Sequence, residues 1–413
     1  PSRIGLGRIN IRNGVLLLCS WVTDLLVNES ATTVLSDSAV LEIPNNTILH
    51  FTGIKSGLIM EPNSKLKLGV GCKIIFDSSA SLIANGATFT SIDSTLKWDG
   101  IFLSNSDADT ITNCTFNNAV TALTITNNEN AAYKNRTITN NIFNIPSGGI
   151  CKGIYGENNY KILLKGNIFN MPVYFPSASP VPLIYVGVYL KNSSIIEANE
   201  EEIEENQSTN YSLNILGNSF SNGCASIILA NYTSNYLPYI LSDNIFNNTA
   251  SVNIIGMNIT GTIRDNTFTS DDVPLGIHLI NSSPNFYKNT INSRDVGLHL
   301  AGHCYPNLAP YVSGEDLVWT GGNNYITTTD IDNIQLSSSG YVNTDFGNNN
   351  FTADNSSSYH IYGWIDSAHS IYKTRDNCWN SSNTSRIYLK TYGSVDTIPV
   401  PVLNTNNYSC SGE

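Results

Sequence analysis

The chain has 413 residues, with 21 basic and 33 acidic side chains, a net charge of −12 and only 13% charged residues. Asn alone numbers 56 and Ser plus Thr 81, types low on the helix scale, which argues against a helical protein. The acidic balance argues against a nucleic-acid surface, and 41% hydrophobic residues is too many for a disordered chain.

Reading from the N-terminus, Pro1 is not an initiator, so the chain reads as processed or truncated. Val15-Leu16-Leu17-Leu18-Cys19 is too short for a signal core and lacks a small residue before Cys19, so it reads as a buried strand. Leu41-Glu42-Ile43, Ile48-Leu49-His50-Phe51, Leu66-Lys67-Leu68 and Lys73-Ile74-Ile75-Phe76 alternate apolar and polar residues, the period of half-buried strands. Gly53, Gly57, Gly69, Gly71 and Gly86 mark turns between them. Three or four short coils are expected from Ser20 to Thr95.

From Cys114 onward a repeat dominates. A turn residue, Asn, any residue and a large apolar residue recur, as in Gly166-Asn167-Ile168-Phe169 and Asp243-Asn244-Ile245-Phe246. The column is Cys114, Asn141, Asn167, Asn218, Asn244, Asn266, Asn289, Asn324, Asn349 and Asn377, at spacings of 27, 26, 51, 26, 22, 23, 35, 25 and 28. Its apolar partners are Phe or Ile, ending in Trp379. A second column alternates with it, as in Gly153-Ile154-Tyr155-Gly156 and Gly297-Leu298-His299-Leu300. One of its copies falls between Asn167 and Asn218, so that interval is one repeat with an insertion, about 171–212, rich in Pro and then in Glu. A repeat of this size cannot bury a core alone; stacked copies share one. Inward Asn residues one above another can then satisfy each other's amides. The preceding Asn, Gly or Asp tolerates a left-handed backbone.

The fold expected is therefore all-β: a single-stranded right-handed parallel β-helix with an Asn ladder. Roughly 14 coils at one strand spacing each make a stack about 65–70 Å long. The expected divisions are 1–97 (N-terminal cap and short coils), 98–394 (main β-helix) and 395–413 (C-terminal tail).

Trp21 to Phe51, the strand Trp98-Asp99-Gly100-Ile101, the coil Asp376-Asn377-Cys378-Trp379 and the segment Val395 to Leu403 together resemble secreted β-helix repeat proteins of gliding-type bacteria. These are surface or adhesin-like proteins, often exported with a C-terminal sorting domain that is later removed. The wider pectate-lyase-like superfamily holds pectate lyases, polygalacturonases, phage tailspikes and adhesins. The resemblance implies an extracellular or cell-surface, secreted protein, but its motifs are structural, and fold alone does not decide function.

Enzyme signatures are weak. The polygalacturonase elements occur as Asp271-Asp272, Gly302-His303-Cys304, Asn343-Thr344-Asp345 and Arg386-Ile387, in scrambled order and on distant coils, unlike a working carboxylate pair. The acids a calcium-dependent lyase would need (Asp107, Asp109, Asp243, Asp265, Asp271, Asp272) form no compact set at repeat spacing. Arg264 and Arg294 stand near turns, and the run Glu197 to Glu205 lacks calcium-loop spacing. No catalytic residue, metal or cofactor is assigned. Eight cysteines are scattered singly; the candidate disulfide joins Cys378 and Cys410.

The outward position of the second column is the more informative feature: Phe102, Thr124, Tyr155, Tyr189, Ile228, Ile255, His278, His299, Gln335, Tyr362 and Tyr388. Its aromatic members, Phe102, Tyr155, Tyr189, Tyr362 and Tyr388, with the pair His278 and His299, form a candidate contact stripe for sugar or another subunit. The function expected is a non-enzymatic extracellular structural or adhesin-like protein, with glycans on Asn-x-Ser/Thr sites possible and self-assembly into a filament or surface layer. Alternatives are a polysaccharide lyase or glycoside hydrolase, or a tailspike-like carbohydrate-binding protein. Expected partners are itself and carbohydrate, with no nucleic acid. No stretch approaches the roughly 18 apolar residues that span a membrane.

Overall fold

The alternation in Ile48–Thr52 places Leu49 and Phe51 inside and leaves Ile48, His50 and Thr52 half-buried outside. That pattern recurs in many of the described strands, as in Lys73–Asp77 and Thr88–Ser91. The computed structural model describes residues 2–4, 8–12, 15–17, 24–28, 31–106, 109–127, 136–158, 162–173, 184–192, 213–232, 237–247, 251–269, 272–309, 311–313, 316–318, 322–337, 340–346, 348–353, 358–365, 372–374, 377–379, 387–391 and 402–403. Among these residues every regular element is a β-strand and none is a helix. Two compact units result, Pro1–Gly223 and Cys224–Glu413.

In the first unit each coil adds one strand to each of three parallel sheets. The first sheet runs Ser2–Ile4, Asp24–Asn28, Ile48–Thr52, Lys73–Asp77, Gly100–Ser104, Thr121–Thr126, Ile150–Glu157 and Ile184–Lys191. The second runs in the same order from Arg8–Arg12 to Leu213–Leu216, and the third from Val15–Leu17 to Ser219–Ser221. Val15–Leu17 is thus the strand its apolar run predicted. This is the expected parallel β-solenoid.

The second unit repeats the plan. Its first sheet runs Ala225–Ala230, Val252–Met257, Leu275–Ile280, Val296–Ala301, Asp332–Leu336, Ile361–Ile365 and Ile387–Thr391. Its second sheet has the strands Leu237–Ser242, Ile259–Arg264 and Asn285–Tyr287, and among the described residues then continues as single bridges, Asn285 to Asn307 to Asn343 and Tyr287 to Gly322. The 35-residue interval before Asn324 holds an antiparallel hairpin, Tyr311–Ser313 with Asp316–Val318, which the repeat spacing did not announce.

Stacking copies of one sequence pattern stacks identical side chains. Phe89, Phe116, Phe143, Phe169 and Phe220 form a pile with ring centroids 4.8 Å apart at every step. In the second unit Phe246 stacks on Phe268 and Phe351 on Trp379, each at 4.5 Å.

The Asn column lies beside these rings, fully buried. In the first unit the Cys114 backbone N–H donates to Asn141 Oδ1 at 2.8 Å. Asn141 donates to Asn167 Oδ1 from both its backbone N and its Nδ2, each at 3.0 Å, and Asn167 repeats this onto Asn218 at 2.9 and 3.0 Å. In the second unit the same pair of bonds links Asn244 to Asn266, Asn289, Asn324, Asn349 and Asn377 in turn. The second Nδ2 hydrogen goes to a backbone carbonyl one coil back, Ile111 for Asn141 and Ile138 for Asn167. Each buried amide is thereby paired, as a buried polar group must be. The preceding residues Asn113, Asn140, Gly166, Gly217, Asp243, Asp265, Lys288, Asn323 and Asn348 all have φ between +50° and +65°. That left-handed turn aims the next side chain inward, and Asn, Asp and Gly adopt it at least cost.

Candidate binding face on the first sheet

The outward column is in register throughout each unit. In the first unit Leu26, His50, Ile75, Phe102, Thr124, Tyr155 and Tyr189 are successive strand partners. The β pleat sends alternate residues outward, and the spacing of parallel strands brings neighbouring rings into contact. Tyr155 and Tyr189 meet edge to face, with centroids 5.5 Å apart.

Charged groups flank the rings. Lys152 Nζ lies 5.2 Å from the centre of the Tyr155 ring and 5.9 Å from that of Tyr189, within cation–π range. Burial lowers the Lys152 pKa, an effect the neighbouring Cys151 opposes. On the other side Glu157 accepts from Tyr155 Oη at 2.7 Å and from Lys191 Nζ at 2.9 Å. Those bonds, Lys191 first, hold its carboxyl below the usual range. Lower on the face Lys73 Nζ stands 5.8 Å from the Phe102 ring and 3.4 Å from Asp99 Oδ2. His50 Nε2 pairs with Asp77 Oδ2 at 2.7 Å. The sequence reading found the rings and missed these flanking charges; their signal was the recurrence of Lys and Asp/Glu two or three positions from the column.

In the second unit Ile228, Ile255, His278, His299, Gln335, Tyr362 and Tyr388 are successive partners. Tyr362 stacks on Tyr388 at 5.7 Å, and Tyr359 joins them at 5.1 and 5.8 Å. Tyr359 was not expected there, because it stands just outside the strand.

Of the described acids weighed for catalysis, Asp243 and Asp265 occupy matching turn positions on successive coils. Asp109 is buried inside the first unit, where it accepts from Arg136 Nε at 3.0 Å, Ser106 Oγ at 2.5 Å and the Leu82 N–H at 2.9 Å. Arg136 also donates to Asn127 Oδ1 at 3.0 Å. Burial raises the Asp109 pKa against the pull of Arg136. Arg264 lies 3.9 Å from Asp265, whereas Arg294 is held at 2.9 Å by Asp295 on a different turn. Asp272 and Asp345 sit on different coils. Asp107, Asp271, Arg386 and the run 197–205 lie outside the described residues. Among the described residues no group of three or more His, Cys, Asp or Glu side chains is placed to hold a metal ion. Cys72, Cys114, Cys151 and Cys304 are buried thiols, and burial pushes Cys114 up to about 11. Cys378 is disulfide-bonded; Cys410 lies outside the described residues.

No family model matches the chain, and no curated protein matches it. Among solved structures, tailspike protein 3 of bacteriophage CBA120 aligns with 91% of this chain at 11% identity and a TM-score of 0.27. The chain spans 58% of the length of that protein's solved chain. At that level of agreement the likeness says nothing about this face.

Proposed function

We propose that the protein is a non-enzymatic, extracellular scaffold of adhesin type that holds carbohydrate against the outer face of its first sheet. The observation that carries this is the registered column of half-buried aromatic rings flanked by Lys and Glu. Aromatic faces match the apolar faces of sugar rings, while adjacent ammonium and carboxylate groups match their hydroxyls. Rigid strands preorganise those groups, so little ordering entropy is lost on binding. The Tyr359, Tyr362 and Tyr388 cluster supplies a second patch of the same kind in the other unit. The outward aromatic surface also suits contact with a second copy of the chain, and self-association belongs to this reading.

The test is binding of the intact chain to a panel of soluble polysaccharides by calorimetry or affinity electrophoresis. Tyr155→Ala with Tyr189→Ala, and separately Tyr362→Ser with Tyr388→Ser, should each weaken binding at least ten-fold. Unchanged affinity in both pairs refutes the face. Steady release of reducing or unsaturated ends from the bound polymer would refute the non-enzymatic part. Sedimentation at tens of micromolar tests assembly; a lone monomer refutes it.

A further inference from the structure

His278 and His299 stand opposite one another on neighbouring parallel strands of the second unit, both on the outward column. Their ring centroids are 4.6 Å apart and their planes differ by 27°. The backbone register fixes this pairing, so the two imidazoles are neighbours before any ligand arrives. Along the column the neighbours are Ile255 and Gln335; two residues further along the strands, Met257, Ile280 and Ala301 are in register with one another. The pair therefore sits in apolar surroundings with an amide beside it, and none of these neighbours is a carboxylate or a cation.

His278 Nε2 is enclosed and has no hydrogen-bond partner. A ring nitrogen removed from water and left unpaired costs stability, and in a native structure it calls for an explanation such as a bound ion. Burial lowers the pKa of both rings, with His278 at about 4. That direction favours the uncharged imidazole, the form that binds metal.

We propose that His278 and His299 form a two-histidine site for a late first-row divalent ion, Zn2+ or Cu2+, with water in the remaining positions. Imidazole nitrogen suits these ions. Metal–nitrogen bonds of about 2.0–2.1 Å put two nitrogens on one tetrahedral ion roughly 3.3 Å apart. The rings stand 4.6 Å apart between centroids; because an imidazole lone pair lies in its ring plane, these near-stacked rings must turn about their side-chain bonds for both nitrogens to face one ion.

The experiment is calorimetric titration of the full chain, stripped of metal by chelator, with Zn2+ alone and with Cu2+ alone at neutral pH. One equivalent should bind, and His278→Gln or His299→Gln should each weaken it at least ten-fold. His303→Gln, an exposed histidine on the following turn, should leave it unchanged. No saturable binding, or binding retained by the double variant His278→Gln/His299→Gln, overturns the site. Electron paramagnetic resonance of the Cu2+-loaded wild type reads the ligands without any substitution. Two coupled imidazole nitrogens support the site; fewer than two overturn it.

Discussion

Replacing Asn167 with Leu keeps the number of side-chain heavy atoms, adds bulk, and removes its side-chain hydrogen bonds. Asn167 Oδ1 accepts from both the backbone N–H and the Nδ2 of Asn141, and its own Nδ2 donates to the Ile138 carbonyl and to Asn218 Oδ1. Leucine would strand the Asn141 N–H and one Asn141 amide hydrogen and take a donor from Ile138. Asn218 Oδ1 would keep the backbone N–H of residue 167. Three buried groups at about 1–3 kcal/mol each, less about 1–2 kcal/mol of added apolar burial, give a net loss of about 1–8 kcal/mol. The control is three residues away. Asn170 belongs to an outward ladder, donating to Asn144 Oδ1 at 2.8 Å, but it is exposed and water can replace its partner. Asn170→Leu should therefore cost under about 1 kcal/mol. Denaturant unfolding followed by far-UV circular dichroism measures both. Equal losses for the two substitutions, or a loss under about 1 kcal/mol for Asn167→Leu, would refute the view that burial makes the inner ladder matter.

Gly100 has φ +139°, and a Cβ there would lie 1.9 Å from the Thr121 carbonyl oxygen; Gly100→Ala should cost at least about 3 kcal/mol, and a wild-type melting temperature would contradict the clash. Arg136→Met leaves Asp109 buried without its cation and should cost about 3–5 kcal/mol, with the Arg136→Met/Asp109→Leu pair costing less than the sum of the single changes; additive losses in denaturant titrations would show that the two are not coupled. His278 drops from its ordinary 6.5 to about 4 in the folded chain, so the unfolded state binds the proton more readily. Its stabilising contribution is complete above pH 6.5 and lost as pH falls toward 4. In chelator, unfolding midpoints of His278→Gln should fall less over that window than those of wild type, and parallel curves would refute the assignment. Peptide mapping without reductant should join Cys378 to Cys410; a free Cys378, or another partner, would refute that pairing.

The repeat made the fold legible because a solenoid turns sequence periodicity directly into stacking. Asn at a fixed place in each coil has nowhere to go but onto the next Asn, and the Asn, Gly or Asp before it marks the left-handed turn. Lys288 takes the same backbone, with φ +52°, without belonging to those types, so the turn follows from the coil and not from that residue alone. The outward column was legible for the same reason: a period-2 strand repeated in register leaves one choice of face.

What only the tertiary structure decided are the contacts whose partners lie one coil apart without sharing a motif. Asp109 and Arg136 are 27 residues apart, the same interval as Cys114 and Asn141, yet nothing in either residue says that it is buried. A charge at a turn reads as solvated until the neighbouring coil is seen to close over it. The same holds for Lys152 over Tyr189 and for Tyr359 beside Tyr388. Periodicity specifies which residues stack, because that follows from spacing along the chain. It cannot specify how side chains reach sideways between coils, because that depends on rotamers and on which turns leave room for them.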